Sequence, residues 1–158
     1  MKKDLFLLGS TGSIGETTLK IIKKDKSNFN VKLLSTNKNV KKIYNQAIQF
    51  GVKKVIIFNE KSYHNNINKF KDKKIKVFLS VKEALRKNKK KSFLTINGIS
   101  GIEGLEPTLD IIKYTKNLAM ANKESIICGW QFIMLLEIVL EGQLGLAYIM
   151  VVELDGEK

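Results

Sequence analysis

Apolar residues along this chain fall into short unbroken runs, separated by longer stretches that mix apolar and lysine-rich positions at helical spacing. The runs are DLFLL (4–8), VKLLS (31–35), KVIIF (54–58), IKVFL (75–79), SFLTI (92–96) and NLAMA (117–121), all of strand length. The stretches between them predict helices over roughly 14–24, 40–50, 61–70, 81–88, 104–114 and 124–140. In the first of these, Leu19, Ile21 and Ile22 sit beside a face of lysines. The strands show little alternation, as expected where helices cover both faces of a sheet. Strand–helix alternation of this kind predicts parallel βαβ units. The expected fold is α/β and Rossmann-like, a doubly wound, mostly parallel sheet with helices on both faces. The single proline, Pro107, falls early in a predicted helix, where its missing amide is no loss.

The first run leads straight into GSTGSIG (9–15), which places Gly9, Gly12 and Gly15 at the first strand-to-helix turn. At such a turn one glycine permits the tight bend and a second lets a pyrophosphate approach the backbone. A third lets the helix pack close to the strand. The amides at the start of the helix then favour an anion. The spacing is G-x-x-G-x-x-G rather than G-x-G-x-x-G, so the pattern alone is loose, and its position after the first strand is what points to a nucleotide. The alternative is a turn with a structural role only.

The second strand narrows the choice of nucleotide. An NAD-type site places a carboxylate about 20 residues beyond the turn, on the ribose 2′-hydroxyl. Here the strand ends LLSTNKNV, and Ser35, Thr36, Asn37, Lys38 and Asn39 include no carboxylate. Lys38 supplies a positive charge, so a 2′-phosphate is accommodated and NADPH is expected over NADH. The other reading, compatible with this one, is a solvent-facing lysine and a helix capped by Asn39.

Two later stretches also follow strands. TINGISGIEGLEPTL (95–109) places Asn97, Gly98, Ser100, Gly101 and Gly104 at a strand end, and LAMANKESIICGW (118–130) does the same for Asn122, Lys123 and Glu124. Open α/β sheets bind ligands at these carboxyl ends. Lys123 could meet a substrate phosphate or carbonyl oxygen, or pair with Glu124.

Composition changes this picture little. The formal net charge is +13, yet all but one of the 28 basic residues are lysine, the exception being Arg86, and they are spread along the chain. Nucleic-acid surfaces more often use arginine with interleaved aromatics, so a solvated lysine surface is expected and no nucleic-acid partner. Cys128 is the only cysteine, which rules out an intrachain disulfide and a cysteine metal cluster, and around His64, the only histidine, no serine or cysteine has a spacing that suggests a triad. The longest apolar stretch, Trp130 to Val152, is interrupted by Glu137 and Glu141, and Leu5–Leu8 is short for a signal-peptide core. The expectation is a soluble cytoplasmic protein with no membrane partner.

Together, GSTGSIG (9–15), NKNV (37–40), GLEPTL (104–109) and ANKES (121–125) resemble the 1-deoxy-D-xylulose 5-phosphate reductoisomerase family, in order and spacing, over about residues 1–130. That family converts 1-deoxy-D-xylulose 5-phosphate into 2-C-methyl-D-erythritol 4-phosphate in non-mevalonate isoprenoid biosynthesis. It uses NADPH and a divalent cation, Mg²⁺ or Mn²⁺, and its members are typically homodimers. The resemblance implies that Thr11, Gly12, Ser13 and Ile14 hold the NADPH pyrophosphate region, and that Asn37, Lys38 and Asn39 surround the 2′-phosphate. It further implies that Asn122 and Glu124 flank the nicotinamide and that Lys123 touches the substrate. At position 37 the family often has glycine.

Beyond the NKES helix the family has a Val-Asp-Ser-Glu-His segment that supplies metal ligands, followed by catalytic and C-terminal domains. This chain reads GQLGLAYIMVVELDGEK (142–158), and Glu153, Asp155 and Glu157 are out of register with that segment, so no metal ligand is assigned. The expected organisation is an NADPH-binding domain over 1–130 and a divergent end over 131–158. On this reading the chain is a truncated portion of an NADPH-dependent oxidoreductase, inactive by itself. The competing classes are a non-catalytic NADPH-binding module and a lysine-rich nucleic-acid binder.

Overall fold

The computed structural model describes residues 1–24, 28–121 and 149–151, the last three by their backbone. Its strands are β1 (Lys3–Leu8), β2 (Phe29–Thr36), β3 (Lys54–Ile57), β4 (Lys76–Phe78), β5 (Leu94–Asn97), β6 (Leu118–Met120) and β7 (Ile149–Val151). They form one sheet in the order β4-β3-β2-β1-β5-β6-β7, and every neighbouring pair is parallel. The α-helices are α1 (Ser13–Lys24), α2 (Val40–Phe50), α3 (Glu60–Asn66), α4 (Val81–Leu85) and α5 (Leu105–Ile111). The expected doubly wound parallel sheet is what the chain adopts.

Alternate residues of β1 serve two cores. Leu5 and Leu7 pack with Leu19 and Ile22 of α1 and with Val40, Ile43 and Ala47 of α2. Phe6 and Leu8 pack on the opposite face with Val81, Ala84 and Leu85 of α4 and Ile111 of α5. In β2 the period slips. Leu5 pairs with Val31 but Phe6 pairs with Leu33, so Lys32 is an extra, bulged residue. Its exposure lets Val31 and Leu33 face opposite cores, which strict alternation would forbid.

Strand order reverses at the centre of the sheet. From β1 the chain builds outward through β2, β3 and β4, then returns to the other side of β1 with β5. Such a switch point opens a crevice at the carboxyl ends of the two strands beside it, here β1 and β5.

Three predicted helices differ in extent. The 61–70 stretch is α-helical only to Asn66 and continues as 3₁₀ turns over Ile67–Lys73. Residues three apart eclipse in that geometry, so Ile67 and fully buried Phe70 share the face that meets the core. α4 stops at Leu85, because the polar run from Arg86 to Lys91 has nothing to bury. α5 is followed by a 3₁₀ turn, Ile112–Tyr114, and Pro107 lies within its first turn. The seventh strand was not expected. Its residues Ile149–Val151 pair with Leu118–Met120 at the edge of the sheet. The helix expected over 124–140 lies outside the described residues. No helix among the described residues is long and apolar enough to cross a membrane.

Candidate functional site

The turn after β1 explains two of its three glycines by geometry alone. Gly9 has φ +71°, in the left-handed region, and a Cβ there would stand 2.7 Å from the Gly98 carbonyl oxygen. A Cβ on Gly15 would stand 2.4 Å from the Gly9 carbonyl oxygen, so α1 can pack against its own entry turn only with glycine at this position. Gly12 is different. It is exposed, lines the crevice, and a Cβ there would meet nothing nearer than the Gly9 carbonyl oxygen at 3.5 Å. The fold does not require glycine at position 12. A group that must approach the backbone closely would.

Two segments hold the turn, the end of β2 and α2. The Gly9 amide donates to Ser35 Oγ at 2.9 Å, and the Ser10 amide donates to the Ser35 carbonyl at 2.9 Å. Thr11 Oγ1 and Thr36 Oγ1 share a hydrogen bond of 2.7 Å. From α2, Gln46 engages Ser10 twice: Ser10 Oγ donates to Gln46 Oε1 at 2.8 Å, and Gln46 Nε2 donates to the Ser10 carbonyl at 2.9 Å. Helix geometry leaves the first amides of α1 without intrahelical acceptors, and these face the same end of the sheet as Gly12. An open backbone, helix-start amides and a rigid frame together fit a diphosphate.

The crevice has a volume of about 800 Å³. Its far wall comes from the loop after β5 and from α5, with Gly98, Ile99, Ser100, Glu106 and Pro107 among the lining residues. Buried Asn97 fixes this loop. Its Nδ2 donates to Thr108 Oγ1 at 2.7 Å and to the Gly104 carbonyl at 3.2 Å, and its Oδ1 accepts from the Ile99 amide at 3.0 Å. Asp110 also lines the crevice. Its carboxylate pairs with Lys82 at 3.1 Å, and that bond raises the Lys82 pKa above its ordinary value. The pairing offsets a charge that would otherwise repel an anion.

Asn37 lines the crevice at the end of β2, with Lys38 and Asn39 exposed beside it. Asn39 caps α2, its side chain accepting from the Lys42 amide at 3.2 Å, so the capping reading holds. Thr11 and Gly12 line the crevice, and Ser13 and Ile14 open α1. Asn122, Lys123 and Glu124 lie outside the described residues. Sequence reasoning passed over Ser35, Thr36 and Gln46 as frame residues, and Phe58 and Leu79 as apolar lining. Among the described residues no group of three or more His, Cys, Asp or Glu side chains could hold a metal ion. A smaller hollow of about 450 Å³, with Lys32, Lys53, Lys54 and Lys91 in its lining, lies at the opposite, amino-terminal edge of the strands.

Residues 5–129 match the family model of 1-deoxy-D-xylulose 5-phosphate reductoisomerase. The reductoisomerase of Pelagibacter ubique is 48% identical over 134 residues, covering 83% of this chain and 34% of the relative. That of Buchnera aphidicola subsp. Schizaphis graminum is 44% identical over 131 residues, covering 80% and 33%. The chain thus spans about a third of the length of the curated relatives it matches. Among solved structures, the Zymomonas mobilis reductoisomerase in complex with NADPH superposes with a TM-score of 0.82 at 24% identity, covering 97% of this chain and 39% of that one. A reductoisomerase in complex with NADPH, fosmidomycin and magnesium superposes with a TM-score of 0.74 at 25% identity, covering 84% and 33%. With the family model matched over residues 5–129, most of this chain, the chain belongs to the 1-deoxy-D-xylulose 5-phosphate reductoisomerase family.

Proposed function

We propose that the crevice binds NADPH and that the chain is the nucleotide-binding portion of a 1-deoxy-D-xylulose 5-phosphate reductoisomerase, an NADPH-dependent oxidoreductase. The observation that carries this reading is Gly12, whose missing side chain serves no packing need and leaves the backbone open to the crevice. The diphosphate would sit against Thr11, Gly12, Ser13 and Ile14, where helix-start amides complement its charge. The 2′-phosphate would lie near Asn37, Lys38 and Asn39, with the lysine ammonium as its counter-charge. Asn122, Lys123 and Glu124 follow β6, two strands from β1, and are proposed to act at the nicotinamide and the substrate. NADPH, when bound, supplies the hydride. A divalent cation, Mg²⁺ or Mn²⁺, and a homodimeric assembly are proposed from family membership, as is a cytoplasmic location.

Calorimetric titration tests the reading. The chain is expected to bind NADPH at least about tenfold more tightly than NADH, a difference of about 1.4 kcal/mol. Lys38→Ala is expected to abolish most of that preference while sparing NADH affinity. Binding of neither nucleotide would remove the site; equal affinity for both would remove the role of Lys38.

A further inference from the structure

Gln46 is a polar residue in an apolar position. On α2 it follows Ile43 by three residues and precedes Ala47, both buried in the core, and it is itself only 8% exposed. A buried amide is unfavourable unless both its ends are paired. Here both ends are paired, and with a single residue. Gln46 Oε1 accepts from the Ser10 hydroxyl and Gln46 Nε2 donates to the Ser10 carbonyl, closing a reciprocal ring between α2 and the glycine turn. The Ser10 amide is meanwhile taken by the Ser35 carbonyl. All three hydrogen-bonding groups of Ser10 are therefore fixed, immediately before Thr11 and the open Gly12.

We infer that Gln46 is a positioning residue for the cofactor diphosphate: through Ser10 it sets the direction of the backbone that follows, although it does not itself line the crevice. The inference rests on the reading of the crevice as an NADPH site. A core hydrophobe at position 46 would serve the packing of α2 equally well. What it could not do is hold the Ser10 carbonyl and hydroxyl together, and a turn free to rotate there must be ordered by the cofactor on arrival, at a cost in affinity. The 2′-phosphate end is held differently, by exposed residues that precede α2, and does not depend on Ser10.

The test compares two ligands on the 158-residue chain. NADPH carries both the diphosphate and the 2′-phosphate, whereas adenosine 2′-monophosphate carries only the latter. Gln46→Met keeps the shape and removes both bonds. It is expected to raise the NADPH dissociation constant about tenfold and to leave that of adenosine 2′-monophosphate within about twofold. Ser10→Ala deletes one oxygen with little change in packing and is expected to weaken NADPH severalfold. Added to Gln46→Met its further effect is smaller than on the unsubstituted chain, because the bond to Gln46 is already gone and only the Ser10 Oγ contact with the Ser35 carbonyl at 3.2 Å is left to lose. Unchanged NADPH affinity in Gln46→Met overturns the inference, as does an equal loss for both ligands, which would mark a general loss of structure. If Gln46→Met does not fold, unchanged NADPH affinity in Ser10→Ala overturns it. Failure of the unsubstituted chain to bind NADPH overturns the reading of the crevice itself.

Discussion

The three glycines of the first turn separate what the fold needs from what a ligand needs. Gly9→Ala combines a left-handed backbone with a contact to a neighbouring strand-end carbonyl that cannot move away. It is expected to cost about 2–4 kcal/mol in urea denaturation. Gly12→Ala meets nothing closer than ordinary van der Waals distance and should leave stability within about 0.5 kcal/mol. Its added methyl group stands where the diphosphate is proposed to lie, so NADPH affinity should fall at least about tenfold. A Gly12→Ala variant that binds NADPH normally would leave position 12 without a functional account. The glycines' position directly after an apolar run predicts the turn, because a strand-to-helix bend there needs glycine at its tightest points. It could not reveal Ser35, Thr36 or Gln46. Each is an ordinary polar residue until β2 and α2, 25 to 36 residues away, are brought against the turn.

At the scale of elements, the pattern of apolar positions located six strands and the helices between them, because burial on both faces of a parallel sheet leaves long apolar runs. It did not reveal the bulge at Lys32, which is a matter of pairing between strands rather than of periodicity within one. Nor did it reveal β7, a three-residue strand far beyond β6 in sequence. Helix ends followed local chemistry. α2 begins at the Asn39 cap and ends at Gly51, whose amide donates to the Ile48 carbonyl at 3.2 Å and whose φ of +67° turns the Val52 amide back onto the Ala47 carbonyl at 2.8 Å. No atom would obstruct a Cβ at Gly51, so Gly51→Ala pays only for the left-handed backbone. The expected loss is about 1 kcal/mol by thermal or urea denaturation, with nucleotide affinity unchanged because the cap holds the Ala47 and Ile48 carbonyls, beyond Gln46, whose bonds to Ser10 stay intact. A loss of several kcal/mol would mean that α2 depends on this cap to stay docked.

Across the whole molecule, the charge of +13 has a local counterpart at the amino-terminal edge of the sheet. Partial burial and the ammonium of Lys76 hold Lys54 below its ordinary pKa, even though its Nζ donates to the Ala84 carbonyl and Asn88 Oδ1. Lys91 is lowered in the same way, by burial and Lys116. The unfolded chain keeps these protons up to the ordinary lysine value, while the folded chain releases them sooner. Between the two values the unfolded state binds more protons, and stability therefore rises with pH. Lys82, raised by Asp110, acts in the opposite sense, but only above the ordinary value. Denaturation midpoints should climb as pH approaches the ordinary lysine value from below, and Lys54→Met should flatten that climb without removing it, since Lys91 remains. An unaltered slope in Lys54→Met would assign the effect elsewhere. The central place of β1 also imposes an order in time. Its neighbour on one side, β2, begins at residue 29, but its neighbour on the other, β5, is not synthesised until residue 94. A ribosome emitting this chain thus releases β1 to β4 as a half-sheet in which β1 is an edge as well as β4, and the Gly98 backbone that closes behind Gly9 comes only after it. The nascent chain is assembled outward from its first strand, and the nucleotide site is finished only when the second half of the sheet arrives.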